Sequence, residues 1–206
     1  MIPPIIVIEG ADGVGKSTVA RELVKRLRGS HLFTHTNPSV SGPYHRALDF
    51  AWQRAGLITL MEERASDPLI KPVRVVIADR WCWSTLATSS AVTDYATKSG
   101  LHSIVMAERQ ALPASRSILL TAPGRVLDAR ITERDGRAPA REELDARGWY
   151  AEQANIFPRG VSHFDAWVDC GEADVESVTD RVEVHARKLL RVMVSQAKKM
   201  EAGRGR

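Results

Sequence analysis

A chain of 206 residues, 44% hydrophobic and 26% charged, has the size of one domain and enough apolar side chains for a core, which excludes a fibrous repeat, a disordered chain and a multidomain assembly. Its 29 Lys and Arg exceed its 25 Asp and Glu by only 29 − 25 = 4, so the charge gives no reason to expect a nucleic-acid partner. Most of those cations are Arg, the residue type that collects around a phosphorylated small molecule.

Along the chain, Ile5-Ile6-Val7-Ile8 is a β-branched run suited to a strand buried on both faces. Gly10 to Gly15 forms a loop. From Lys16 the pattern turns helical, with Val19, Leu23, Val24 and Leu27 on one face and Gly29 as its stop. Leu32-Phe33-Thr34 reads as a second strand, and Asn37-Pro38 and Gly42-Pro43 mark a loop. A helix is expected from Tyr44 to Ala65, broken near Gly56. The third strand is Val73–Ala78. Helices follow at Trp83–Ala91 and Leu101–Leu112, with a polar stretch between them. The fourth strand is Ser117–Leu120, Pro123 opens a helix reaching Arg134, and Phe164–Val168 is the fifth strand. Asp174 caps a final helix. The basic tail, 198–206, is expected to fray. Strands alternating with helices, nearly all of them continuous apolar runs, predict an α/β fold with a parallel sheet covered on both faces. No linker divides residues 1–206.

Gly10-Ala11-Asp12-Gly13-Val14-Gly15-Lys16-Ser17 fits G-x-x-x-x-G-K-[ST], placed between a buried strand and a helix as a phosphate-binding loop requires. Glycines let successive N–H groups point at phosphate oxygens, and the helix N-terminus adds its dipole. Residues Gly10 and Asp12 through Thr18 are therefore expected to bind the donor nucleotide, with Lys16 on the β- and γ-phosphates and the Ser17 hydroxyl on Mg²⁺. Asp79, ending a buried strand, is expected at the same sheet edge as a second Mg²⁺ ligand, and Arg80 as a clamp on an anion. The sequence has no Asn-Lys-x-Asp motif, and its third strand ends in Asp-Arg rather than Asp-Glu, which argues against a regulatory GTPase and a motor ATPase.

The segments Ile8–Thr18 and Ala78–Ala87 together resemble the thymidylate kinases and, more broadly, P-loop nucleoside monophosphate kinases and their deoxynucleoside kinase relatives. The resemblance implies a three-layer P-loop fold with strand order 2-3-1-4-5, an Arg-rich lid at about 130–148, ATP and Mg²⁺, and a homodimer. It implies transfer of phosphate from ATP to thymidylate or a related pyrimidine nucleotide. Phe50 and Arg54, one helical turn apart, resemble the family's base-stacking aromatic and base-reading Arg. Asp12 matches a carboxylate that contacts the acceptor sugar. Glu9 matches a residue that serves deoxynucleoside kinases as general base. Among the lid arginines Arg130, Arg134, Arg137 and Arg141, the resemblance implies a catalytic one because Gly13 occupies the place where some members carry it in the loop; Arg134 and Arg137 are the candidates. Two features depart from the family: His35-Thr36-Asn37-Pro38 lacks the Arg that helps hold the acceptor phosphate, and Thr88 stands where a Tyr flanks the sugar. Two other functions stay open: a kinase for a nucleoside or other small hydroxylated metabolite, and an ATP-binding module without catalysis. Cys82 and Cys170 make neither a disulfide framework nor a metal motif, and no apolar run approaches the ~18 residues of a membrane span, so a cytoplasmic protein without membrane partners is expected.

Overall fold

The computed structural model describes residues 3–35, 43–66, 72–90, 92, 94–111 and 115–204. Five parallel strands, β1 (Ile5–Gly10), β2 (Ser30–Thr34), β3 (Val75–Asp79), β4 (Ser115–Thr121) and β5 (Ala166–Asp169), form one sheet in the order β2-β3-β1-β4-β5. This is the strand order implied by the family resemblance. β1 and β3 are buried along their whole length, because a parallel sheet with helices on both faces leaves neither side to water. Helices α1 (Lys16–Arg26), α2 (Pro43–Ser66), α3 (Cys82–Ser89), α4 (Tyr95–Ala111), α5 (Gly124–Asp135), α6 (Arg141–Ile156) and α7 (Val175–Arg204) supply the layers.

The register decides where the chemistry can sit. Ile8 pairs with Asp79, and Thr34 also pairs with Asp79. The carboxyl ends of β1, β2 and β3 therefore lie together, and Asp79 falls beside the loop that leaves β1. A crevice at the carboxyl ends of the strands is where an open α/β sheet binds its ligands.

Several expectations need correction. α2 runs unbroken through Gly56, since a single glycine costs about 1 kcal/mol, a deficit offset where Arg54, Leu57 and Met61 are buried. α4 starts at Tyr95, within the polar stretch, where Asp94 accepts a hydrogen bond from the Thr97 amide as a helix cap. α6 was not expected as a helix; its start carries half a capping box, the Ala140 amide donating to Glu143 at 2.6 Å. α7 extends through the basic tail as far as Arg204. Thr36, Asn37 and Pro38 of the expected acceptor loop lie outside the described residues.

Candidate active site

The loop from Gly10 to Gly15 joins β1 to α1, and two of its glycines are needed where they stand. Gly10 has φ +147°, and a Cβ there would come within 2.3 Å of the Leu120 carbonyl oxygen on β4. Gly13 has φ +82°, and its Cβ would meet Leu127 O at 2.9 Å and Ile131 at 3.2 Å, both on α5. The helix that leads into the lid thus packs directly on the loop, and no side chain fits at Gly13. Gly15 caps α1 at φ +96° without a side-chain hydrogen bond, so no side chain competes with phosphate for the first-turn amides.

Lys16 is only 5% exposed, and its Nζ donates to Ala11 O at 2.8 Å and lies 3.6 Å from Asp12. Burial, reinforced by the nearby Arg80 charge, lowers its ammonium pKa to about 8. Asp12 is pulled the other way: burial pushes its carboxyl up, but Arg80 and Lys16 together hold it below the usual range. Arg80 bonds Asp12 directly and takes a left-handed backbone, φ +72°, uncommon outside glycine.

Two cavities open at this edge. One, about 360 Å³, is lined by the loop, Lys16, Ser17, Thr18 and the cations Arg21, Arg80, Arg130 and Arg134. The other, about 620 Å³, is lined by Phe50 and Arg54 of α2, His35, Asp79, Arg80, Trp81, Thr88 and, from α6, Glu142. Asp12, Ser17 and Arg80 belong to both, so the cavities meet at these three side chains. Asp79 Oδ1 is buried and has no hydrogen-bond partner among the described residues. An oxygen left so, in a cavity that Ser17 also lines, fits a hard cation such as Mg²⁺. Among the described residues no three His, Cys, Asp or Glu side chains gather into a metal cage. A cation held here would take its remaining ligands from phosphate and water.

The expected acceptor and lid residues fare unevenly. Phe50 lines the larger cavity edge-on to His35, ring centroids 4.9 Å apart. Arg54 lines it too, but is 1% exposed and commits its fork to Glu108, Nε–Oε1 2.6 Å and Nη2–Oε2 2.5 Å, while Nη1 faces His35 Nε2 at 3.1 Å. A guanidinium so engaged serves the cavity wall rather than standing ready to read a base. Thr88 borders the cavity, yet its hydroxyl proton goes to the Ser84 and Thr85 carbonyls, so it has no proton to donate to a sugar and only its oxygen is left as an acceptor. Glu9 lines neither cavity: it is fully buried, and both its carboxylate oxygens are occupied. That placement is incompatible with a general base on a bound hydroxyl. Arg134 lines the smaller cavity while paired with Asp135, but Arg137 is turned to Glu143 at 2.8 and 2.9 Å and lines neither cavity. Arg130, which the sequence does not separate from the other lid arginines, reaches the smaller cavity and lies 3.5 Å from Gly13 O. Its place one turn before Arg134 on α5 was a readable signal. Arg46, from α2, lines the larger cavity 3.8 Å from Glu142, and no motif marked it. Cys82 and Cys170 are buried, their thiols pushed up to about 12 and about 11 by desolvation, and neither is poised to react.

No protein-family model and no curated protein matches the sequence. Among solved structures, a thymidylate kinase from Candida albicans, described as having broad substrate specificity and a novel structural element, superposes with a TM-score of 0.60 over 91% of this chain and 93% of that one, at 19% identity. The fold is thymidylate kinase-like. At that identity the likeness speaks for the fold, and the chemistry has to be argued from the two cavities. No helix among the described residues is long and apolar enough to cross a membrane.

Proposed function

We propose that this chain is an ATP- and Mg²⁺-dependent nucleoside monophosphate kinase acting on thymidylate or a related pyrimidine nucleotide. The observation that carries the reading is the meeting of two cavities at Asp12, Ser17 and Arg80. One side is built for a polyphosphate. The other has the size of a small-ligand pocket, lined by the aromatic rings of Phe50 and Trp81 and by the cations Arg46 and Arg80. Transfer between two anions requires them to be held together against their repulsion, and Arg80 stands where both would abut.

In the proposed mechanism Lys16 and the first-turn amides of α1 hold the donor phosphates. Arg130 and Arg134 close on them from α5, and Arg80 neutralises charge shared by donor and acceptor. Ser17 and Asp79 would hold the Mg²⁺, which supplies charge neutralisation at the phosphates when bound. Phe50 packs against the acceptor ring. A monophosphate acceptor is already largely ionised, with a second pKa near ~6, and needs no general base. The burial of Glu9 agrees with that and weighs against a nucleoside or sugar hydroxyl as the acceptor. The presence of Lys16, Ser17 and Asp79 at one sheet edge weighs against a module that binds ATP without transfer. A cytoplasmic homodimer that takes small nucleotides and no nucleic acid belongs to the same reading.

The test is ADP release from ATP across the nucleoside monophosphates and the free nucleosides. Turnover confined to monophosphates, with pyrimidines preferred, supports the reading. Turnover with nucleosides alone, or with no acceptor, refutes it.

A further inference from the structure

Glu9 is a fully buried carboxylate at the centre of the site, and the transfer step just described makes no use of it. Its contacts say what it does. Oε1 accepts the backbone N–H of Trp81 at 2.7 Å and that of Ser84 at 3.3 Å. These amides belong to the start of α3, whose N-cap residue is Trp81, a side chain with no oxygen to offer and no capping hydrogen bond. Glu9 therefore caps α3 from a neighbouring strand. Oε2 accepts the Ser84 hydroxyl at 2.6 Å and the Tyr150 hydroxyl at 2.9 Å, and those two hydroxyls lie 3.1 Å apart. The carboxylate is saturated, with no face left for a substrate.

Arg80 sits between the groups that this arrangement grips. Its own N–H donates to Ile8 O at 3.0 Å, and the next amide, that of Trp81, goes to Glu9. Adjacent residues of β1 thus hold the peptide groups on both sides of Arg80, whose φ of +72° is one an arginine keeps only when its surroundings impose it. The direction of the guanidinium follows from that backbone. Tyr150 brings in a third element, α6, the helix entered from the Arg137–Glu143 turn of the lid.

We propose that Glu9 and Tyr150 are positioning residues: Glu9, steadied by Tyr150 from the lid helix, caps α3 and so fixes the left-handed turn that aims Arg80 between the two cavities. A Gln of the same shape can accept the Trp81 and Ser84 amides through its carbonyl oxygen and donate its NH₂ to the Ser84 and Tyr150 hydroxyls, which can turn to accept, so it keeps the network without a carboxylate. A general base would behave otherwise, since Gln cannot take a proton.

The inference rests on the kinase reading for its turnover measurements, and nucleotide binding provides a second readout that does not. The experiment compares Glu9→Ala, Glu9→Gln, Tyr150→Phe, Arg80→Ala and the double variant Glu9→Ala/Arg80→Ala, each checked for folding by thermal melting. It measures kcat and the directly titrated Kd for ATP. Glu9→Ala is expected to lower kcat and weaken ATP binding about tenfold, Tyr150→Phe to do so by roughly threefold, and Glu9→Gln to recover most of the loss. In the Arg80→Ala background Glu9→Ala should add less than about twofold, because residues acting through one group are not additive. Should Glu9→Ala fail to fold, the cycle is run with Tyr150→Phe, which removes one hydroxyl. Glu9→Gln losing the 10²–10⁴-fold expected of a missing base while it binds ATP normally overturns the proposal. So do effects on Kd that multiply with those of Arg80→Ala. If the wild type turns over no monophosphate, the kinase reading fails alone, and the cycle on ATP Kd still decides the positioning role.

Discussion

Raising the pH should loosen the grip on ATP through one group, Lys16. Its ammonium is nearly sealed from water, and burial together with Arg80 lowers its pKa to about 8 from the ordinary 10.5. Bound phosphates reverse both causes, replacing lost hydration with oxygens of opposite charge, so the complex retains the proton to at least the ordinary value. The free protein at pH 7 then carries the charge about ten times in eleven, and at pH 9 about once in eleven. Binding at pH 9 must include taking up that proton, which weakens ATP affinity about tenfold, or about 1.4 kcal/mol, relative to pH 7. The stability of the free protein moves the opposite way. Between about pH 8 and 10.5 the unfolded chain holds a proton on Lys16 that the folded chain has lost, so the contribution of this residue to stability rises with pH. Calorimetric titration of ATP from pH 6.5 to 9.5, in two buffers of different ionisation enthalpy, reads both the affinity and the proton uptake. Lys16→Arg, which cannot deprotonate in this range, should flatten the profile. A wild-type Kd constant to pH 9.5 with no proton uptake would refute this account of Lys16.

The sheet was legible in the sequence because each of its features is local. An apolar run at Ile5–Ile8, a glycine loop and a Lys-Ser helix start dictate a strand, a phosphate cradle and α1 without reference to the rest of the chain. Asp79 was legible too, since the end of a buried parallel strand has only one edge to face. Orientation on the lid was not. Arg130, Arg134, Arg137 and Arg141 look alike in one dimension. What separates them is Gly136, which ends α5 at φ +66°, and Glu143, which captures Arg137. Arg54 shows the same limit: its spacing from Phe50 gave the right helix face, but its partner Glu108 lies 54 positions away on α4. The motif alone assigns Glu9 to the acceptor side, because its position is shared by enzymes that use it as a base. Only the three-dimensional arrangement of Trp81, Ser84 and Tyr150 shows that its oxygens are spent. Buried polar networks of this kind join residues with no sequence spacing in common, so no periodicity announces them.

Replacing Arg130 with Ala should lower kcat by roughly 10- to 100-fold, the worth of a charged hydrogen bond of about 1.5–3 kcal/mol, whereas Arg137→Ala should stay within about threefold; equal losses would contradict the lid geometry. Gly13→Arg should abolish ATP binding and lower Tm, because a left-handed backbone costs an L-residue roughly 1–3 kcal/mol and its Cβ would also press on the Leu127 carbonyl; a variant that binds ATP normally would show that α5 can withdraw. His35 is held neutral, its pKa lowered to about 3 by burial and by Arg54, so stability present above pH 6.5 should fall as the pH drops from 6.5 toward 3. At pH 5.5 the loss is about 1 kcal/mol after allowance for partial exposure, and chemical denaturation should show it in the wild type and not in His35→Gln. The last prediction concerns the sugar. Thr88 borders the larger cavity; it is too small to fill the space there, and with its proton committed to helix carbonyls it has none to donate to a 2′-hydroxyl. A cavity of about 620 Å³ with a small residue at that point should accept ribo and deoxy acceptors alike. Thr88→Tyr places a ring there and should raise the ratio of kcat/KM for deoxyuridylate over uridylate, which differ only at the 2′ position, about tenfold, equivalent to about 1.4 kcal/mol of discrimination. A wild-type ratio already near ~10³, about 4 kcal/mol, would mean that another residue excludes the 2′-hydroxyl, and the role given to the open space at Thr88 would be wrong.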